Sequence, residues 1–163
     1  QRQMCIRDRG VVARRGLCGD VYLASAPVGP RISDVKIDTS VRRSDISLNV
    51  KLQGVAAGRS HSLAARITKD GRDIKQFRSP VFQVADLNDG RIDVTARWQP
   101  TELWDTHTPQ NSYRLHLNLL DSSGNVADEG FSVRFGFREF WIDGRRFYLN
   151  GVPLSAPRRM RPV

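Results

Sequence analysis

Glutamate is scarce in this sequence: Glu102, Glu129 and Glu139 are the only three in 163 residues. Carboxyl groups do acid–base or nucleophilic work when a cleft brings two of them, or one and a partner, within reach. Glu102 lies in a proline-bounded loop, Glu129 sits beside Asp128 near a strand start, and Glu139 follows a long strand-like stretch. Neighbours such as Asp128 and Glu129 point to opposite faces of a strand and so cannot act on one substrate atom. Each glutamate therefore reads as a solvated or salt-bridged carboxylate. The histidines, His61, His107 and His116, are scattered with no spaced acid or nucleophile beside them, which argues against a triad or a metal site. Ser122-Ser123-Gly124 is a turn sequence, not a nucleophile elbow.

Both cysteines, Cys5 and Cys18, stand close to the start, with no CxxC or Cys/His cluster. They cannot staple the body of a fold, and a structural zinc site is not expected. The net charge of +9 invites a nucleic-acid reading, but its distribution opposes one. Arg2, Arg7 and Arg9 near the start and Arg158, Arg159 and Arg161 at the end hold much of it. The other arginines are spread singly, without the interleaved aromatics that stack bases. No apolar run approaches the roughly 20 residues of a membrane-spanning helix. No basic start followed by an apolar segment marks a signal peptide, and the compartment is left open.

The body of the chain reads as β-structure. Val21-Tyr22-Leu23 is a short apolar strand, and Ile32, Val35, Ile37 and Thr39 stand among polar residues. Ile46, Leu48, Val50 and Leu52 alternate with Ser47, Asn49 and Lys51, a strand with one face in a core and one in water. Leu63, Ala65 and Ile67 repeat the pattern up to Asp70-Gly71, a hairpin turn pair, and Ile74 to Phe77 returns. Ile92 to Trp98 and Tyr113 to Leu119 alternate again; Ser123-Gly124-Asn125 then turns the chain into a strand running to about Arg138. A last hairpin joins Phe140–Ile142 to Phe147–Leu149 through Asp143-Gly144. No stretch has a capped 3.6-residue period. Short strands at this spacing predict an all-β fold, an immunoglobulin-like antiparallel sandwich.

Three segments carry a family resemblance. Gly16-Leu17-Cys18-Gly19-Asp20-Val21-Tyr22-Leu23 is similar to the end of the N-terminal sugar-binding jelly roll of glycoside hydrolase family 2, with Cys18 where that family usually has Trp. Trp98-Gln99-Pro100, Leu103-Trp104, Thr108-Pro109, Tyr113 and Leu115 resemble its Trp-x-Pro … Leu-Trp … Pro-x-x-Tyr-x-Leu stretch. Phe135-Gly136-Phe137-Arg138-Glu139 and Phe147-Tyr148-Leu149-Asn150-Gly151-Val152-Pro153 resemble the passage that closes the sandwich and enters the catalytic barrel. Ser155-Ala156-Pro157-Arg158-Arg159-Met160 departs from the family's first barrel strand. At the other end, Gln3-Met4-Cys5-Ile6-Arg7-Asp8-Arg9 resembles a translated sequencing-library adapter.

The resemblance implies four parts. Residues 1–9 are an artefact or a disordered tail, and residues 10–28 end a jelly roll. Residues 29–138 are the sandwich, and residues 139–163 are a hairpin leading into a barrel. It further implies a glycosidase of the β-galactosidase, β-glucuronidase or β-mannosidase kind, acting on O-glycosyl bonds in carbohydrate metabolism without a cofactor. Both catalytic carboxylates of the family lie on the barrel, which takes about 250 residues. Only 25 residues follow Arg138 here, so the catalytic pair is expected outside this sequence and the piece alone is expected to be inactive. The expected partners are the neighbouring jelly roll and barrel and, through them, a carbohydrate; neither nucleic acid nor membrane is expected. Trp98, Trp104 and Trp141 are candidates either for stacking on sugar or for packing at domain edges. The competing reading is a free-standing carbohydrate-binding or fibronectin-like interaction module.

Overall fold

The computed structural model describes residues 28–154. Both cysteines, the adapter-like residues, the Val21–Leu23 strand, nearly all of the jelly-roll-like segment and residues 155–163 lie outside the described residues.

Eleven strands follow in order: β1 (Arg31–Ser40), β2 (Asp45–Gln53), β3 (Ser62–Lys69), β4 (Arg72–Arg78), β5 (Arg91–Arg97), β6 (Tyr113–Leu120), β7 (Val126–Glu129), β8 (Val133–Phe135), β9 (Phe140–Asp143), β10 (Arg146–Leu149) and β11 (Val152–Leu154). A single 3₁₀ turn at Val84–Asp86 is the only helical element among the described residues. One sheet has the order β1-β2-β5, and the other runs β4-β3-β6-β7 with β8 also paired to β6. Every pairing is antiparallel. With the first, second and fifth strands opposite the rest, this is an immunoglobulin-like sandwich, the predicted class. Strands β9, β10 and β11 form a separate small sheet.

Period two explains why these segments are strands. Ile46, Leu48, Val50 and Leu52 of β2 are buried against Leu63, Ala65 and Ile67 of β3 and Leu115, Leu117 and Leu119 of β6 in one core. On the outer side of β2, Ser47 bonds Thr95 at 2.8 Å and Asn49 donates to Asp93 at 2.6 Å. The β3–β4 turn needs two residues with positive φ, and Asp70 (49°) and Gly71 (76°) supply them.

Two details depart from plain alternation. The three-residue step from Ile32 to Val35 is a β-bulge, where the register of β1 on β2 shifts between Ile32 and Asp34. The single strand expected up to Arg138 is two strands. Asn118 faces Glu129 whereas Leu115 faces Val133, so one extra residue is inserted between β7 and β8. Gly130 N–H still bonds Leu117 C=O at 2.9 Å, and Phe131 is thrown outward, 82% exposed.

At one end of the core an aromatic cluster replaces the aliphatic layers. Trp98 meets Tyr113, Phe135 and Phe137 edge-on, with ring centroids 5.0, 6.4 and 5.2 Å away. The Tyr113 hydroxyl donates to the Glu102 carbonyl at 2.8 Å. That tyrosine corner pins the loop between β5 and β6 to the start of β6. Burial pushes the Tyr113 phenol up, against the opposing pull of the Lys69 charge.

A Leu117→Ala substitution empties space in the centre of the core and should cost about 2–5 kcal/mol in urea unfolding. Ser47→Ala, on the solvent face of β2, should change stability by about 1 kcal/mol or less in the same assay.

Candidate interdomain junction

The sandwich ends where β8 runs out, and the residues after it are gripped one by one. Phe137 is 1% exposed and its carbonyl accepts from Trp104 N–H at 2.9 Å. Gly136 lies so close to the Trp104 indole that a Cβ there would be 2.6 Å from the side chain, which leaves glycine as the residue that fits. The Arg138 guanidinium lies 4.3 Å from the Trp104 ring centre, a cation–π contact. Thr39 of β1 closes the other side: its hydroxyl donates to the Arg138 carbonyl at 2.7 Å and accepts from Arg138 N–H at 3.2 Å.

Glu139 is the hub. Its Oε1 accepts from Arg42 Nε at 2.7 Å and lies 2.6 Å from Arg42 Nη2. Its Oε2 accepts from Arg42 N–H at 2.9 Å and from the Ser40 hydroxyl at 3.1 Å. The Glu139 side chain is only 11% exposed, so burial alone would raise its pKa; the donors of Arg42 and Ser40 outweigh that and hold it below the ordinary glutamate value. A carboxylate so filled with donors is a structural anion and is poorly suited to give a proton as a general acid.

Asn150 ties the small sheet to the same point. Its Oδ1 accepts from Glu139 N–H at 2.9 Å, and its own N–H donates to the Glu139 carbonyl at 2.9 Å. Its Nδ2 donates to the Trp104 carbonyl at 2.8 Å. Asn tolerates the left-handed backbone found here (φ 52°) and also carries both an acceptor and a donor, which no aliphatic residue offers. The Arg42 guanidinium lies 4.4 Å from the ring centre of Trp141, which stacks on Tyr148 at 5.4 Å.

The other face of the small sheet has a different character. Register sets Ile142 beside Phe147 and Leu154, and Phe140 beside Leu149 and Val152. All six are apolar and share one face, since residues two apart point the same way. Leu149 is buried, but Phe140, Ile142, Phe147, Val152 and Leu154 are 42–61% exposed. Contiguous exposed apolar faces of this kind are typical of interaction surfaces.

The three tryptophans thus have three different settings. Trp98 is in the core, Trp104 is packed on Gly136 under Arg138, and Trp141 is stacked on Tyr148 beside Arg42. The three glutamates are equally separate, lining three different depressions. Glu102 is ion-paired with Lys69, and Glu129 is opposite Asn118 on an outer sheet face. Asp128 accepts instead from Ile32 N–H at 2.7 Å, so these two neighbours do part to opposite sides. His61 is buried beside Phe82, His107 donates its backbone N–H to Asp105, and His116 meets the Thr68 hydroxyl. Nothing in the sequence marks Arg42, which reads as one more arginine in a polar turn.

Because the folded pKa of Glu139 lies below its unfolded value, its contribution is complete at neutral pH and disappears as pH falls through the folded pKa. Glu139→Gln should cost roughly 1.5–3 kcal/mol at pH 7, the range for hydrogen bonds to a charged group. The difference between variant and parent should shrink on acidification below about pH 4, near the unfolded glutamate pKa. Paired denaturation curves across that range check it.

A family model described as Glycosyl hydrolases family 2 matches residues 31–138, the sandwich itself. Among solved structures, a β-glucuronidase of Bacteroides uniformis is 21% identical, with a TM-score of 0.54 over 78% of this chain and 16% of its own. A family 2 member of Bacteroides cellulosilyticus gives 18% identity and a TM-score of 0.59 over 77% and 17%. A β-D-mannosidase of Dictyoglomus thermophilum gives 23% and 0.54 over 77% and 16%. At such identities the likeness is one of fold, and this chain spans about a sixth of the length of those proteins. No curated protein matches it. The family model covers well over half of the chain, and the chain belongs to family 2 of the glycosyl hydrolases.

Proposed function

We propose that this chain is a non-catalytic piece of a retaining glycoside hydrolase that cleaves O-glycosyl bonds, β-galactosidase- or β-glucuronidase-like, in carbohydrate metabolism. In this reading residues 29–138 are a rigid spacer, residues 10–28 end a jelly roll, and residues 139–163 lead into the catalytic barrel. The two carboxylates of the double-displacement reaction, about 5–5.5 Å apart in retaining enzymes, belong to that barrel. The sandwich contributes position: a site assembled between domains works when its supports are held rigidly.

The observation that carries this reading is the small sheet. One of its faces is locked to the sandwich through Glu139, Asn150 and Arg42, and the other offers five exposed apolar side chains. A spacer needs both a fixed side and a sticky side. Family membership, and the short span of this chain against its structural neighbours, agree with it.

The test compares this 163-residue chain with the protein encoded by a longer reading frame, on nitrophenyl β-galactoside, β-glucuronide and β-mannoside. The expected result is no hydrolysis by the chain alone and hydrolysis by the longer protein. Ile142→Asp in the longer protein should lower its activity at least tenfold, by spoiling the apolar contact. Hydrolysis by the short chain would contradict the proposal, as would saturable glycan binding by it that is lost on Trp104→Ala.

A further inference from the structure

The outer face of the larger sheet carries a charge arrangement that the spacer role does not use. Register places Thr68, Arg114 and Arg134 in one row across β3, β6 and β8, so the two arginines are directly opposite each other. Like charges in that position destabilise a sheet unless something neutralises them. Among the described residues neither arginine enters an ion pair.

Each guanidinium is instead held by a serine two residues before the opposite arginine. Arg114 Nη1 donates to Ser132 Oγ at 3.1 Å, and Arg134 Nε donates to Ser112 Oγ at 2.9 Å. The two bonds form a reciprocal brace, and the bond to Ser112 uses Nε alone, so among the described residues both terminal nitrogens of Arg134 remain available. Arg114, Arg134 and Ser112 line an open depression of about 380 Å³ with Thr68, Lys69 and Asp70. Lys69 is occupied by Glu102, which leaves Asp70 as the one carboxylate on that lining.

We propose that the braced Arg114–Arg134 pair binds a tetrahedral oxyanion, a phosphate or sulfate group. Two planar donor forks side by side suit a group with three or more acceptor oxygens, and a dianion relieves the repulsion between them. The group could arrive as a free ion or as an ester on a sugar, and the two are separable.

The test is an amide NMR titration of the full 163-residue chain, at constant ionic strength set with chloride, using inorganic phosphate and glucose 6-phosphate in parallel. Saturable shifts centred on Ser112, Arg114, Ser132 and Arg134 are expected with at least one of the two. Tighter binding of the sugar ester assigns the site to a phosphorylated saccharide; equal or weaker binding assigns it to the free ion. Arg134→Gln should weaken binding at least tenfold, whereas Arg66→Gln, on the same face but paired with Asp73, should change it less than twofold. The spectra themselves report whether each variant is folded. Shifts that never saturate with either probe would overturn the proposal. Equal loss in the two variants, or an Arg134→Gln variant that binds like the parent, would overturn it too.

Discussion

Alternating burial along β2, β3 and β6 is the constraint on which everything else rests. A one-residue slip in any of these strands would turn Leu48, Ile67 or Leu117 to water and Asn49, Arg66 or His116 into the core. Each fully buried leucine or isoleucine contributes about 1.5–3 kcal/mol relative to exposure, so the registers are held by many such terms at once. That rigidity gives the ends of the sandwich fixed coordinates, and the junction is built on one of those ends.

The aromatic cluster passes this rigidity outward. Trp98 and Phe137 belong to the core, Tyr113 fastens the loop that carries Trp104, and Trp104 in turn packs on Gly136. Glu139 and Asn150 then fix the small sheet to the same loop and to the β1–β2 turn. Every step is a hydrogen bond or close contact between named residues, and those of Trp104 with Gly136 and of Glu139 with Arg42 join distant parts of the sequence. The hairpin therefore sits on the sandwich in a defined position, with five apolar side chains of one face exposed.

Most of this architecture is legible in the amino-acid order because period two is a local signal. Ile46 to Leu52 or Tyr113 to Leu119 announce their strands without any partner. Asp-Gly announces the β3–β4 turn for the same reason. The bulges are harder. The step from Ile32 to Val35 carries a trace of one, but the inserted residue after Glu129 is visible only in the pairing with β6. The junction was least legible: Glu139 reads as a solvated carboxylate because its partner Arg42 lies 97 positions earlier. Asn150 reads as a turn former, and its clamp on Trp104 is a second role that composition does not reveal. Family motifs mark these residues, but the bonds that stiffen this end of the sandwich belong to the three-dimensional arrangement.

On the proposed reading, the sandwich carries a small sheet whose apolar face is covered by the catalytic part of a longer protein. Hydrogen exchange of residues 140–154, compared between this chain and the protein of the extended reading frame, tests it most directly. The account predicts that amides of β9, β10 and β11 exchange far more slowly in the longer protein, while those of β2, β3 and β6 are unchanged. Equal exchange of the small sheet in the two proteins would show that nothing covers that face, and would contradict it.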